Sequence, residues 1–173
     1  TIVLSGRHIG GIAALEDRAR APTYRALVRT MMEMIAPTAG ETILDVGCGT
    51  GAQSIPLLAR VGATGSVCSL DISEESVAAL RQAAGNASNL SAVAADMGDL
   101  ENVIENVFPC KQYDLAQSSY ALYYSPNRLQ VLDVMRGHLK AEGRLAVFTP
   151  NRPHGMVEVA RRLTEVVRES DTL

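Results

Sequence analysis

The 173-residue chain has three cysteines, Cys48, Cys68 and Cys110, and no two of them stand at metal-ligand spacing. So odd and scattered a set offers no disulfide framework, and a reduced, cytoplasmic compartment is the expectation. No stretch approaches the roughly 20 consecutive apolar residues that cross a bilayer, so no membrane span is expected. No charged-then-apolar leader opens the chain, which begins with Thr1 rather than Met and reads as a trimmed chain or a fragment. Clustered basic residues are also lacking. There are 16 Lys and Arg against 19 Asp and Glu, a net charge of −3, and the doublet Arg161-Arg162 reads as a solvated helix face. Nucleic acid is therefore not an expected partner, since phosphate binding needs grouped Lys and Arg. No internal repeat or low-complexity tract is visible.

What is present is a chain that is 47% hydrophobic and 20% charged, long enough for one domain with a sizeable core. Short apolar runs alternate with longer amphipathic ones, the pattern of βαβ units around a parallel sheet. Strands are expected at Thr42 to Val46, Ser66 to Leu70, Leu90 to Ala94, Tyr113 to Gln117 and Arg144 to Phe148. Helices are expected at Ala13 to Ile35 (restarting near Pro22), Gln53 to Arg60, Glu74 to Ala84, Leu100 to Val107, Pro126 to Leu139 and Met156 to Arg168. Ser73 suits an N-cap and Gly85 a helix stop. In the fifth of these helices Leu129, Leu132, Met135 and Leu139 form the inward side; in the last, Val159, Leu163 and Val166 or Val167.

The informative stretch is Ile43-Leu44-Asp45-Val46-Gly47-Cys48-Gly49-Thr50-Gly51. A strand feeds a glycine loop and a helix leaves it, which lets backbone N–H groups come close to a ligand. The glycines alone are ambiguous. Gly47, Gly49 and Ala52 also fit the dinucleotide fingerprint, with Asp71 near the position of its ribose acid, and a plain βα turn would look similar. Asp45 separates the readings. A carboxylate at the end of an apolar strand needs a partner, because an unpaired buried charge is expensive. A ligand ammonium would supply one, whereas the pyrophosphate of NAD would be repelled.

Leu44 to Gly51 closely resembles motif I of the class I S-adenosylmethionine-dependent methyltransferases. Ser69-Leu70-Asp71-Ile72-Ser73 resembles the acidic end of that family's second strand, and Ala94-Ala95-Asp96-Met97 its third motif. Tyr113 to Tyr124 resembles its fourth strand and following loop, and Leu139 to Leu145 its turn into strand five. The likeness covers about residues 30 to 150. It implies a Rossmann-like doubly wound parallel sheet, with residues 1–36 as a helical segment or lid and 37–173 as the S-adenosylmethionine-binding domain. It implies S-adenosylmethionine as cofactor and S-adenosylhomocysteine as product. By that resemblance Gly47, Cys48, Gly49 and Gly51 would wrap the methionine part and Asp45 would bind its amino group. Asp71 would accept from both ribose hydroxyls, Ile72 and Met97 would line the adenine pocket, and Asp96 would accept from the adenine amino group. Gln117 would lie beneath the sulfonium.

Each residue has a plainer reading: Asp71 as a helix-start acid, Asp96 as a turn residue before Gly98, Ile72 and Met97 as core. Methyl transfer needs alignment more than a base, so the sequence names no catalytic residue. Tyr120, Tyr123 and Tyr124 in the loop after strand four, and His154 past strand five, are the candidates for the acceptor side; His8 and Tyr24 would belong to the lid. Ser119-Tyr120 stands in place of the family's Asn-Pro-Pro-Tyr signature, which disfavours adenine or glutamine N-methylation and points to a small-molecule acceptor. The nearest look is that of ubiquinone/menaquinone-type enzymes.

The chain departs from the family after strand five, where a helix is expected instead of the usual C-terminal β-hairpin. Strand five would then be an exposed apolar edge, in a fragment, in a trimmed chain, or completed by a partner such as a second copy in a homodimer. Three functions compete with an active methyltransferase: a cofactor-binding module without turnover, an NAD-dependent oxidoreductase, and an aminopropyltransferase using the decarboxylated cofactor.

Overall fold

The structure is a computed structural model that describes residues 17, 20–151 and 156–159. Its elements in chain order are α1 (Pro22–Ile35), β1 (Thr42–Val46), α2 (Ser54–Val61), β2 (Ser66–Asp71), α3 (Glu74–Ala84), β3 (Leu90–Ala94), α4 (Leu100–Asn106), β4 (Tyr113–Ser119), α5 (Arg128–Gly137), β5 (Leu139–Asn151) and β6 (Met156–Val159). They build one six-stranded sheet in the order β3-β2-β1-β4-β5-β6. Five strands are parallel, and β6 runs antiparallel to β5. The strand order reverses at β1, and the ends of β1, β2, β3 and β4 open on the same side, where open α/β sheets bind ligands.

Alternation along the strands splits the core into two layers. Leu44, Val46, Cys68, Leu70 and Ala116 face one way and pack with Leu100, Val103 and Ile104 of α4 and Val131 and Met135 of α5. Ile43, Val67 and Leu115 face the other way, against Val28, Met31, Met32 and Ile35 of α1 and Leu57 and Val61 of α2. Because Asp45, Ser69 and Gln117 lie two residues beyond Ile43, Val67 and Leu115, they belong to this second face. The sequence thus puts three polar side chains at one level of an otherwise apolar layer. Helix boundaries follow local chemistry. Pro22 occupies the first turn of α1, where its missing N–H costs nothing. Ser73 caps α3, its side chain accepting from Ser76 N, and Gly85 ends it at φ 60°.

Three expectations are corrected. Met156–Val159 is a strand paired with Phe148–Asn151, not the start of a helix. Two β-branched valines beside an unpaired strand edge gain ladder hydrogen bonds there, and this outweighs the weak helical periodicity. The rest of the expected helix, residues 160–168, lies outside the described residues. The end of β5 is therefore covered rather than bare. On α5 Leu132 and Met135 pack inward as expected, with Val131 beside them, while Leu129 is 72% exposed; the helix begins at Arg128, so Leu129 falls in its first turn on the outer side. Leu139 is not helical but opens β5, and Glu142-Gly143 is an excursion within that strand, where the register slips between the Tyr113 and Leu115 pairings.

Candidate cofactor site

β1 ends at Val46, and the chain turns back over the end of β2. Gly47 N and Cys48 N both donate to Leu70 O, at 2.8 and 3.0 Å, and Gly49 N donates to Asp71 Oδ2 at 2.8 Å. Gly47 (φ 80°) and Gly49 (φ 54°) adopt the left-handed conformation this path requires. A side chain on Gly47 would run into Ala121, whereas one on Gly49 would meet nothing. The loop therefore packs closely on protein at Gly47 and is open at Gly49. Gly51 faces inward against Leu80, and Cys48 is buried, its thiol pushed well up by burial and by the charges of Asp45 and Asp71. That thiol is no nucleophile at neutral pH.

Asp45 is 1% exposed. Its Oδ2 accepts from Ser54 Oγ at 2.6 Å and its Oδ1 from Gln117 Nε2 at 2.9 Å. Burial pushes its carboxyl up to about 6, against the lowering effect of those two hydrogen bonds, and the nearby charge of Asp71 adds to the rise. The strand end thus does give Asp45 partners, but neutral ones. Ser54 was not singled out from sequence: a serine nine residues after Asp45, at the start of a helix, looks like an ordinary capping residue. Asp45 and Gln117 are register partners on β1 and β4, so a strand alignment would have paired them.

Asp71, at the end of β2, accepts from Gly49 N and, through Oδ1, from Ser73 N at 3.0 Å. It joins glycine loop and helix start, as its reading as a helix-start acid expects. Ile72 beside it is half exposed. Asp96 is exposed, and its Oδ1 accepts from Gly98 N at 2.7 Å, the geometry of a turn. Met97 packs partly against the α4–α5 core layer, and its methyl group lies near Gly47. In the loop after β4, Tyr120 has φ 55° and packs against the α1 layer, while Tyr123 and Tyr124 are exposed with ring centroids 4.4 Å apart. His154 and His8 lie outside the described residues. Among the described residues no group of His, Cys, Asp and Glu could hold a metal ion, and no helix is long and apolar enough to cross a membrane.

These residues fit S-adenosylmethionine. The buried Asp45 carboxylate has neutral donors only, which leaves its charge for an ammonium. The Asp71 carboxylate stands at the adjacent strand end against the glycine loop, and a carboxylate's oxygens can accept from a vicinal diol. The buried Gln117 Oε1 has no protein partner. An anionic pyrophosphate would face two carboxylates instead.

A family model described as a methyltransferase domain matches residues 37–173. The chain is 29% identical over 149 residues to nocamycin O-methyltransferase of Saccharothrix syringae, covering 86% of this chain and 52% of that protein. It is 32% identical over 127 residues to demethylmenaquinone methyltransferase of Listeria innocua, covering 71% of this chain and 50% of the relative. The chain thus spans about half the length of the curated relatives it matches. A crystal structure of a SAM-dependent methyltransferase from Aquifex aeolicus superposes with a TM-score of 0.66 at 19% identity, over 83% of this chain and 74% of the other. The chain belongs to the methyltransferase domain family, among the class I S-adenosylmethionine-dependent methyltransferases.

Proposed function

We propose that this chain carries the cofactor half of an enzyme that passes the methyl group of S-adenosylmethionine to a small-molecule acceptor. The observation that carries this reading is the buried Asp45 at the turn into the glycine loop, with Asp71 at the neighbouring strand end. When bound, the cofactor supplies a methyl group on a sulfonium, already a good leaving group. The protein's share is then alignment and exclusion of water. Asp45 holds the ammonium end, Asp71 the ribose, and the open face at Gly49 lets the backbone come close. Ile72, Met97 and Asp96 flank the adenine side. Tyr123 and Tyr124, exposed beyond β4, offer aromatic surface to the acceptor. The relatives whose names point to nocamycin and demethylmenaquinone favour small organic acceptors over macromolecules.

Calorimetric titration with S-adenosylmethionine, S-adenosylhomocysteine and NAD tests this. Binding of the first two with NAD silent is the expected result. NAD binding, or silence from all three in a folded sample, would overturn it.

A further inference from the structure

Ser69, Ser54, Asp45 and Gln117 form a continuous buried chain drawn from β2, α2, β1 and β4, each at most 1% exposed. Ser69 Oγ donates to Ser54 Oγ at 3.4 Å, Ser54 Oγ to Asp45 Oδ2 at 2.6 Å, and Gln117 Nε2 to Asp45 Oδ1 at 2.9 Å. The donor assignments at Asp45 follow from chemistry, since an ionised carboxylate only accepts. The Gln117 amide must therefore present its nitrogen to Asp45 and turn its oxygen away.

We infer that Ser54 and Gln117 are positioning residues: by donating one hydrogen bond to each oxygen of Asp45, they hold its carboxylate as the receptor for the cofactor's ammonium. The inference rests on the proposed cofactor reading and deepens it. Neutral donors suit the task. A Lys or Arg at either position would cancel the charge and with it the attraction for a cationic ligand. An apolar residue would leave the carboxylate with too little support to stay ionised in a buried site. A hydroxyl and an amide stabilise the ionised form yet leave its charge uncompensated. The short 2.6 Å contact is the length expected of a charge-assisted O–H donor. The titratable groups facing Asp45 are Asp71 from β2 and the Cys48 thiol of the loop; α2 and β4 contribute the neutral Ser54 and Gln117. Asp71 is present in every variant below, so its charge does not distinguish them.

The test is the pH profile of S-adenosylmethionine affinity, measured by calorimetry on the 173-residue chain between pH 5 and pH 7.5. The parent, Ser54→Ala and Gln117→Leu are compared, with circular dichroism as the check on folding. In the parent, affinity should weaken as pH falls through the range where Asp45 takes up a proton. Removing either donor should move that fall upward by about one pH unit, which is about tenfold in affinity on its acid side, with a much smaller loss at pH 7.5. A merely structural role would lower affinity equally at every pH; that result, or an unchanged profile, overturns the inference and leaves the cofactor reading standing. Absence of binding by the folded parent overturns both. Should one variant fail to fold, the other still decides, because each oxygen has its own donor.

Discussion

A Cβ placed on Gly47 would stand 2.1 Å from the Cβ of Ala121. The glycine loop after β1 and the loop after β4 therefore touch at a point where neither backbone can retreat cheaply. Gly47 N is bonded to Leu70 O, and the backbone N–H of Tyr120, next to Ala121, is bonded to Phe148 O. Tyr120 itself holds a left-handed conformation, a local strain of the kind that collects at functional sites. Two penalties then fall on Gly47→Ala: the clash and the positive φ. The variant should lose roughly 2–4 kcal/mol of stability in urea denaturation. The double variant with Ala121→Gly should recover the clash component only, so that about 1 kcal/mol of loss remains. Full recovery, or none, would refute this division.

Asp45→Asn should separate stability from function. Burial raises the Asp45 carboxyl to about 6 in the folded chain, against about 3.9 in an unfolded one. The folded state takes up the proton more readily. The stabilisation linked to it is complete below about pH 4 and is lost as the pH rises through about 6. An amide does not ionise and escapes that loss. Relative to the parent, the variant should gain roughly 2–3 kcal/mol on going from pH 4 to pH 8, while S-adenosylmethionine binding disappears. Urea denaturation at both pH values measures the gain. An equal stability difference at pH 4 and pH 8 would show that Asp45 is not the group titrating.

How far the sequence could be read depended on whether a signal was local. Strand β1, the glycine turn and the Ser73 cap are set by residues within a few positions of one another, and the structure places them as read. Leu129 failed because one turn of helix phase decides whether a leucine is buried, and the first residue of α5 was misplaced. Met156–Val159 differs because a short β-branched run takes its conformation from what it can pair with, and the weak helical periodicity gives no sign that Phe148–Asn151 offers that edge. Ser54 was invisible because its hydrogen bond to Asp45 depends on how the glycine loop folds the start of α2 back over the end of β1. Gln117 was legible as a strand end but not as Asp45's partner, since register is a property of two strands.

Glu41 and Arg144 test the opposite end of the sheet. Arg144 Nη1 and Nη2 donate to Glu41 Oε1 and Oε2, both at 2.9 Å, clamping the start of β1 to the interior of β5. Burial alone would raise the Glu41 carboxyl, but the Arg144 hydrogen bonds and charge hold it below the usual range. Its contribution is therefore present above the ordinary glutamate range and lost as pH falls below about 4. Glu41→Gln should cost about 1–2 kcal/mol at pH 7, discounted because the arginine side chain is 32% exposed. The difference between variant and parent should narrow as the pH falls from 5 towards 3. Cofactor affinity should be unchanged, since the pair lies at the end of the sheet away from the glycine loop; a tenfold loss would contradict that placement.

Asp71→Asn is the sharpest test of the ribose end, because the usual conservative replacement is not conservative there. Asp71 accepts two backbone N–H groups, from Gly49 and Ser73, one on each oxygen. An asparagine has one acceptor oxygen, so its NH2 group must confront the second N–H donor. One of the two anchors is lost whichever way the amide turns, and the carboxylate charge goes with it. The variant should lose about 1–3 kcal/mol of stability and on the order of tenfold to a hundredfold in S-adenosylhomocysteine affinity. Methylthioadenosine, which keeps the ribose and lacks the ammonium, divides the site in two. Its binding should weaken in Asp71→Asn as much as that of S-adenosylhomocysteine, and should survive in Asp45→Asn. Loss of methylthioadenosine binding in both variants would mean that Asp45 supports the whole loop rather than one end of the ligand.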